Sequence, residues 1–150
     1  MTFKSVTTLL IFIICFTLQA PLAAQHSEEA ITVDAAKDNP EWVPCPEFMP
    51  ESCRISVLQG NPAEPNADVF FRMEGNTSVP NHWHHSAERM VLVSGEMEVD
   101  YEGQEPVVLT PGTYAYGPPE LPHTAECVSS EPCLLFIAWN EPVDAFAADE

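Results

Sequence analysis

Basic side chains are what this sequence has least of: five Lys and Arg stand against 23 Asp and Glu, a formal net charge of −18. So acidic a chain lacks the cationic patch that phosphate backbones and anionic lipid heads require, which excludes nucleic acid as a partner. Glycine is also scarce, six residues against 15 prolines, and that excess of proline disfavours long helices. No segment keeps a helical apolar period, and there is no internal repeat. Long hydrophobic runs are absent except for one, Leu9 to Leu18. No Cys-x-x-Cys occurs, which argues against a structural zinc site. What remains is 150 residues, enough for one domain with a real core.

The single apolar run sits inside a three-part export pattern of Lys4, the stretch Leu9 to Phe16, and the small residues Ala20, Ala23 and Ala24. It is shorter than the roughly 20 apolar residues that span a bilayer, so a signal peptide over residues 1–24, cleaved after Ala24, is expected rather than a retained anchor. The expected location is the periplasm or the outside of the cell, with no stable membrane association after cleavage. Cleavage removes Lys4 and no acid, leaving four cations against 23 acids and a net charge of −19 (4 − 23). Such charge is self-repelling and is relieved by salt. Cys15 leaves with the signal, and four cysteines in an exported chain invite disulfides. Three pairings exist, and the two local ones are favoured. Cys45 and Cys53 enclose a short proline-bearing loop, and Cys127 and Cys133 flank a hairpin-length loop.

Beyond the signal, residues 25–52 read as a flexible leader or a strand added to an edge, residues 53–142 as a β domain, and residues 143–150 as a flexible tail. Within the β domain, runs rich in β-branched and aromatic residues alternate with turn residues: Arg54 to Leu58, Ala67 to Glu74, Glu88 to Val93, Glu96 to Tyr101, Val107 to Thr110, Thr113 to Tyr116 and Leu134 to Trp139. Seven or more short strands argue for an all-β sandwich or barrel. The clearest alternation is Glu96 to Tyr101, where three acids share one face and Met97, Val99 and Tyr101 share the other. Ser94-Gly95 before it suits a two-residue hairpin turn.

His82-Trp83-His84 carries the chemistry. In a strand, positions i and i+2 point to one face, so both imidazoles reach one ion. Glu88 follows three residues later at the start of the next strand, and His123 comes 35 residues beyond it. Three imidazoles and one carboxylate suit one divalent first-row metal, with Fe2+, Mn2+, Ni2+, Cu2+ and Zn2+ all compatible, and leave open positions for water, substrate or dioxygen.

Here the chain resembles the cupin superfamily. Gly75, His82-x-His84, three residues, Glu88, six residues and Gly95 follow that family's first motif, with one extra residue between Gly75 and His82. Gly112, five residues, Pro118-x-Glu120, two residues and His123 are similar to the second motif. The resemblance covers about Arg54 to Pro142 and implies a single cupin barrel, a jelly roll or double-stranded β-helix, with a metal near its mouth. Two departures stand out: Glu120 replaces the family's glycine and Cys127 its asparagine. Glu120 after Pro119 fits a turn that needs only negative φ, so a different local turn is expected there. Glu120 is also a candidate general base or gate, against the plainer reading of a solvated turn residue.

His85 breaks the alternation and reads as outward-facing, while Arg72 and Arg89 are either anion clamps or solvated ion pairs. Tyr114 and Tyr116 are candidate hydrogen-bond donors to a ligand. Met90, Leu92, Met97, Val99, Tyr101, Phe71, Leu135, Ile137 and Trp139 have strand spacing suited to an apolar lining. The stretch Leu109 to Tyr114 through His123, with Cys127 and Cys133 beyond, also looks like small single-domain cupins related to diketone-cleaving dioxygenases. The expectation is therefore an exported, mononuclear metal-binding cupin with a small-molecule ligand. If it is an enzyme, Glu88 and Glu120 are its catalytic candidates and a small enol or diketone its substrate. A metal-assisted sugar isomerase and a non-catalytic binding module are the alternatives. A homodimer through edge strands is allowed, although the charge opposes it at low salt.

Overall fold

The computed structural model describes residues 29–38 and 40–148, so the expected signal peptide lies outside the described residues. Among the described residues there are eleven strands and no helix. The first sheet has six antiparallel strands in the order β1 (Val43–Pro44), β2 (Arg54–Gln59), β3 (Asp68–Met73), β10 (Cys133–Trp139), β5 (Glu88–Ser94) and β8 (Tyr114–Gly117). The second has five, in the order β11 (Phe146–Ala147), β4 (Thr77–Trp83), β9 (His123–Cys127), β6 (Met97–Tyr101) and β7 (Val107–Leu109). From β3 onward the chain passes back and forth between the sheets, which gives the all-β jelly-roll barrel that the motifs imply.

Strand β10 shows why these residues take this form. Cys133, Leu135, Ile137 and Trp139 are buried, and Leu134, Phe136 and Ala138 between them are half-buried, the period-two pattern of a strand with one face on the core. On its outer face Phe136 stands opposite Phe70 of β3, the rings edge to face at 6.5 Å, a favourable cross-strand arrangement. The core fills from both sheets, Val69, Leu92 and Ile137 from one meeting Val79, Met97 and Val99 from the other.

All seven strand-like runs are strands, with ends moved by a residue or two. Strands β4 and β9, whose sequences TSVPNHW and HTAEC are polar, lie outside those seven runs, as the apolar signal there is weak. Val43–Pro44, in the leader, pairs with β2, and Phe146–Ala147, in the tail, pairs with β4. Both local disulfides are present, with Cα atoms 5.5 Å apart for Cys45–Cys53 and 5.8 Å for Cys127–Cys133.

Two local expectations are corrected. Ser94-Gly95 does not close a hairpin, because β5 and β6 belong to different sheets. Gly95 instead has φ of +82°, and a Cβ there would lie 2.8 Å from the Cys133 Sγ, so glycine is needed where the chain turns the corner against the disulfide. Cys127 and Cys133 likewise are not hairpin partners. Their strands β9 and β10 lie in opposite sheets, and the disulfide ties one sheet to the other.

Candidate metal centre

Strand β4 reaches the site through a bulge. Val79 pairs with Ala125 and His82 with His123, three residues of β4 against two of β9. Val79 and His82 are an odd number of positions apart and yet both are buried, which a regular strand forbids and one extra residue allows. The bulge spans Pro80-Asn81, where proline has no N–H to lose from the ladder. From His82 the ordinary parity carries His84 to the same side. Across the sheet His123 stands opposite both His82 of β4 and Tyr101 of β6, so three strands place these side chains in one row.

The three imidazoles are buried and converge, with ring centroids 4.8 Å apart for His82 and His84, 4.2 Å for His82 and His123, and 5.4 Å for His84 and His123. Each is held from behind by a backbone carbonyl that accepts a hydrogen bond from Nδ1: Pro80 for His82 at 2.9 Å, Asp144 for His84 at 2.5 Å, and Leu121 for His123 at 3.0 Å. A carbonyl only accepts, so Nδ1 carries the proton and the Nε2 lone pair is free in every ring. The Nε2 of His84 is buried with no hydrogen-bond partner. Burial, reinforced by the two neighbouring rings, pulls the pKa of His82 down to about 3. Burial also lowers those of His84 and His123. Three neutral imidazoles, with one ligand atom from each within 4.8 Å of the others, are the donor set that a divalent transition metal takes. Backbone carbonyls behind them supply the outer support such ligands require.

Glu88 approaches from the opposite sheet, at the start of β5. Its carboxylate oxygens lie 3.6 Å from the Nε2 atoms of His84 and His123, too long for hydrogen bonds and, with neutral rings, not ion pairs. Burial raises its pKa to about 7, an effect that His123 partly offsets. Gly117 of β8 pairs with Glu88, and its missing side chain is what admits Tyr101. A Cβ on Gly117 would lie 2.6 Å from the Tyr101 hydroxyl and 3.2 Å from Glu88 Oε2.

The histidines and Glu88 line a cavity of about 220 Å³. Phe71, Met90, Met97, Val99, Tyr101, Leu135, Ile137 and Trp139 line it as their spacing suggests, and Leu92 is instead plain core. Cys45, Pro46 and Met49 from the first disulfide loop, and Val143, Asp144 and Ala145 from the tail, complete the wall. The Tyr101 hydroxyl and the Trp139 Nε1 are buried without a hydrogen-bond partner, each a deficit of about 1–3 kcal/mol.

The remaining candidates lie elsewhere. Glu120 is exposed and lines no part of the cavity. Its expected turn is corrected too: φ is +59°, so the carboxylate residue adopts the left-handed conformation that suits the family's glycine, held by its N–H donating to the His84 carbonyl at 2.7 Å. His85 faces outward, its Nδ1 2.6 Å from the Asp144 carboxylate. Arg72 pairs with Glu74 at 3.4 Å in solvent, and Arg89 is exposed. Tyr114 and Tyr116 are exposed as well. Sequence reasoning missed Asp144, for which a tail residue gives no signal, and Gly117, for which a strand glycine opposite Glu88 is a faint one.

Residues 69–139 match the family model of the cupin domain. No curated protein matches the sequence. Among solved structures, a DMSP lyase, DddQ from Ruegeria pomeroyi DSS-3, superposes with a TM-score of 0.65 at 20% identity, over 76% of this chain and 64% of that one. This chain therefore spans less than two thirds of that lyase. The polyketide cyclase RemF from Streptomyces resistomycificus gives 0.65 at 17% identity, over 81% and 87% of the two chains. KdgF from Halomonas sp. gives 0.57 at 18%, over 72% and 93%. At these identities the likeness is one of fold.

Proposed function

We propose that this protein, a member of the cupin family through residues 69–139, binds one divalent metal ion through His82, His84, His123 and Glu88 and uses it to engage a small molecule in the adjoining cavity. One observation carries the reading: three buried imidazoles, each fixed through Nδ1 so that Nε2 is left as the ligand atom, line a cavity of about 220 Å³. A closed structural site has no need of such a space. In this reading Glu88 is the fourth ligand, supported by carboxylate oxygens 3.6 Å from the Nε2 atoms of His84 and His123, while the mutually close group is the three histidines.

A divalent ion held there supplies Lewis acidity to a ligand oxygen. The chain's own part is to orient the ligand between Tyr101, Trp139 and the apolar wall, to exclude water, and to hold Glu88 where a proton can be passed. The activity we assign is oxygen-dependent cleavage of a small enol or diketone, with Glu88 as the site's proton-handling group. Glu120 takes no part, being outside the cavity. The two disulfides suit an exported protein, and among the described residues no helix is long and apolar enough to cross a membrane.

Elemental analysis of protein purified without chelators, alongside oxygen uptake with a panel of diketones and enols, tests this. About one metal per chain with substrate-dependent uptake is the expected result, and the His84→Ala protein loses the stoichiometric metal. Full metal retention by that variant rules out the site, while metal without uptake rules out the oxygenase.

A further inference from the structure

We propose that the Cys45–Cys53 disulfide governs access to the cavity, its loop standing in the wall while the bond is intact and swinging clear when a dithiol reduces it. This is a regulation of the site described above, and only its consequence for the metal rests on that reading.

The first argument is how the loop is held. Residues 46–52 belong to neither sheet. Yet Cys45, Pro46 and Met49 line the cavity, Met49 packs against the core, and the Phe48 ring lies 6.5 Å from that of His82. The hydrogen bonds of the loop are mostly local. Met49 N–H donates to the Pro46 carbonyl and Cys53 N–H to that of Pro50, both at 2.9 Å, and Arg54 Nη1 donates to the carbonyls of Glu51 and Cys53 at 2.7 Å. Among the described residues, the one hydrogen bond from residues 46–52 to a distant part of the chain joins Ser52 Oγ to the Glu74 N–H at 3.4 Å. At the Cys45 end, β1 meets β2 through two residue pairs, one of them Pro44, which has no N–H to give. A long hydrogen bond from Cys45 N–H to the Cys53 carbonyl, 3.4 Å, is all that the backbone adds there. The sulfur bridge is therefore the strong tie that keeps this end of the loop in the wall.

The second argument is that the two disulfides differ in access. Cys53, Cys127 and Cys133 are fully buried, whereas Cys45 is half-buried. Exchange requires a thiolate to reach a sulfur, so Cys45–Cys53 is open to attack at Cys45 while Cys127–Cys133, which lines no part of the cavity, is shielded. A thiolate of the dithiol attacks Cys45 Sγ, the Cys45–Cys53 bond breaks, and Cys53 leaves as a thiolate that takes up a proton. The second thiolate of the reductant then attacks the mixed disulfide and frees Cys45, which is protonated in turn. The protein gains two electrons and two protons, and the reductant becomes a disulfide. Reduction returns to the loop the freedom that its closure removed, and the wall formed by Pro46 and Met49 is left to one apolar contact and weak hydrogen bonds.

The test uses the full metal-free chain and diethyl pyrocarbonate, which labels accessible neutral imidazoles, with each histidine and each disulfide followed by mass spectrometry. His82, His84 and His123 are buried and His85 is exposed, so His85 reports the activity of the reagent throughout. Under limiting dithiol, Cys45–Cys53 is expected to be reduced at least about tenfold faster than Cys127–Cys133. Labelling of the three buried histidines is expected to rise at least about tenfold as that bond is lost, with His85 unchanged and the near-UV circular dichroism retained. The Cys45→Ser, Cys53→Ser protein is expected to match the reduced chain without any reductant; if it does not fold, selective reduction of the parent decides. Equal rates of reduction for the two bonds overturn the proposal, as does unchanged labelling of the buried histidines once Cys45–Cys53 is broken. Loss of the near-UV signal on that reduction also overturns it, since the bond is then a requirement of the fold and not a gate. In cobalt-loaded protein, EDTA is expected to remove the ion about tenfold faster after reduction. Failure to take up cobalt at all overturns the metal reading, and the labelling of the metal-free chain still decides the gate.

Discussion

Glu88 has opposite effects on the fold and on the site. Its pKa is raised from 4.5 to about 7 by burial, so the metal-free folded chain holds this proton more tightly than the unfolded chain does. The resulting cost is absent below pH 4.5 and fully present above pH 7, where it amounts to roughly 3 kcal/mol. Metal-free Glu88→Gln protein is therefore expected to be more stable than metal-free parent at pH 8, with the gap closing as pH falls through 7 toward 4.5, in urea titrations. In the metal-loaded proteins the order reverses, because the variant loses a ligand. Glu120 gives a second residue-scale prediction. A left-handed backbone costs a non-glycine residue about 1–2 kcal/mol, so Glu120→Gly is expected to raise stability by about 1 kcal/mol, measured the same way. His82 and His84 were legible in the sequence because their spacing puts them on one strand face, and Glu88 and His123 because the resemblance to the two cupin motifs implies them. The φ of Glu120 was not, since a carboxylate residue gives no local reason to enter a region that glycine favours.

At the scale of elements, the apolar strands could be read and the polar ones could not. Strand β10 announces itself through four alternating core residues, whereas β9 is held in place by neighbours on both sides, β4 and β6, more than by its own composition. The bulge in β4 is signalled only by Pro80, and without it the parity of Val79 would put His82 on the outer face. Proximity in sequence predicted the Cys127–Cys133 bond but not its role, which depends on β9 and β10 lying in different sheets. Replacing both cysteines by serine is expected to cost about 2 kcal/mol in denaturant unfolding, the entropy of so short a loop. Equal stability of the double variant would show that the unfolded chain is not restrained by this bond.

For the whole molecule, charge sets the conditions under which it folds. A net charge of −18 on a chain of 150 residues stores repulsion that salt relieves over a Debye length of about 10 Å at 0.1 M. Tm is expected to rise by a few degrees when sodium chloride is raised from low to molar concentration, in calorimetry on the metal-free protein. A flat or falling Tm would place the acids in compensating arrangements rather than in open repulsion.

The ring of His84 is fixed by the carbonyl of Asp144, 60 residues later in the chain. Synthesis runs from the N-terminus, and three of the four proposed ligands precede most of the barrel. The tautomer of His84 is thus set from a part of the chain remote from the strand that carries it. A chain cut just before Asp144 would keep all four proposed ligands and lose both this carbonyl and the β11 segment that docks beside β4.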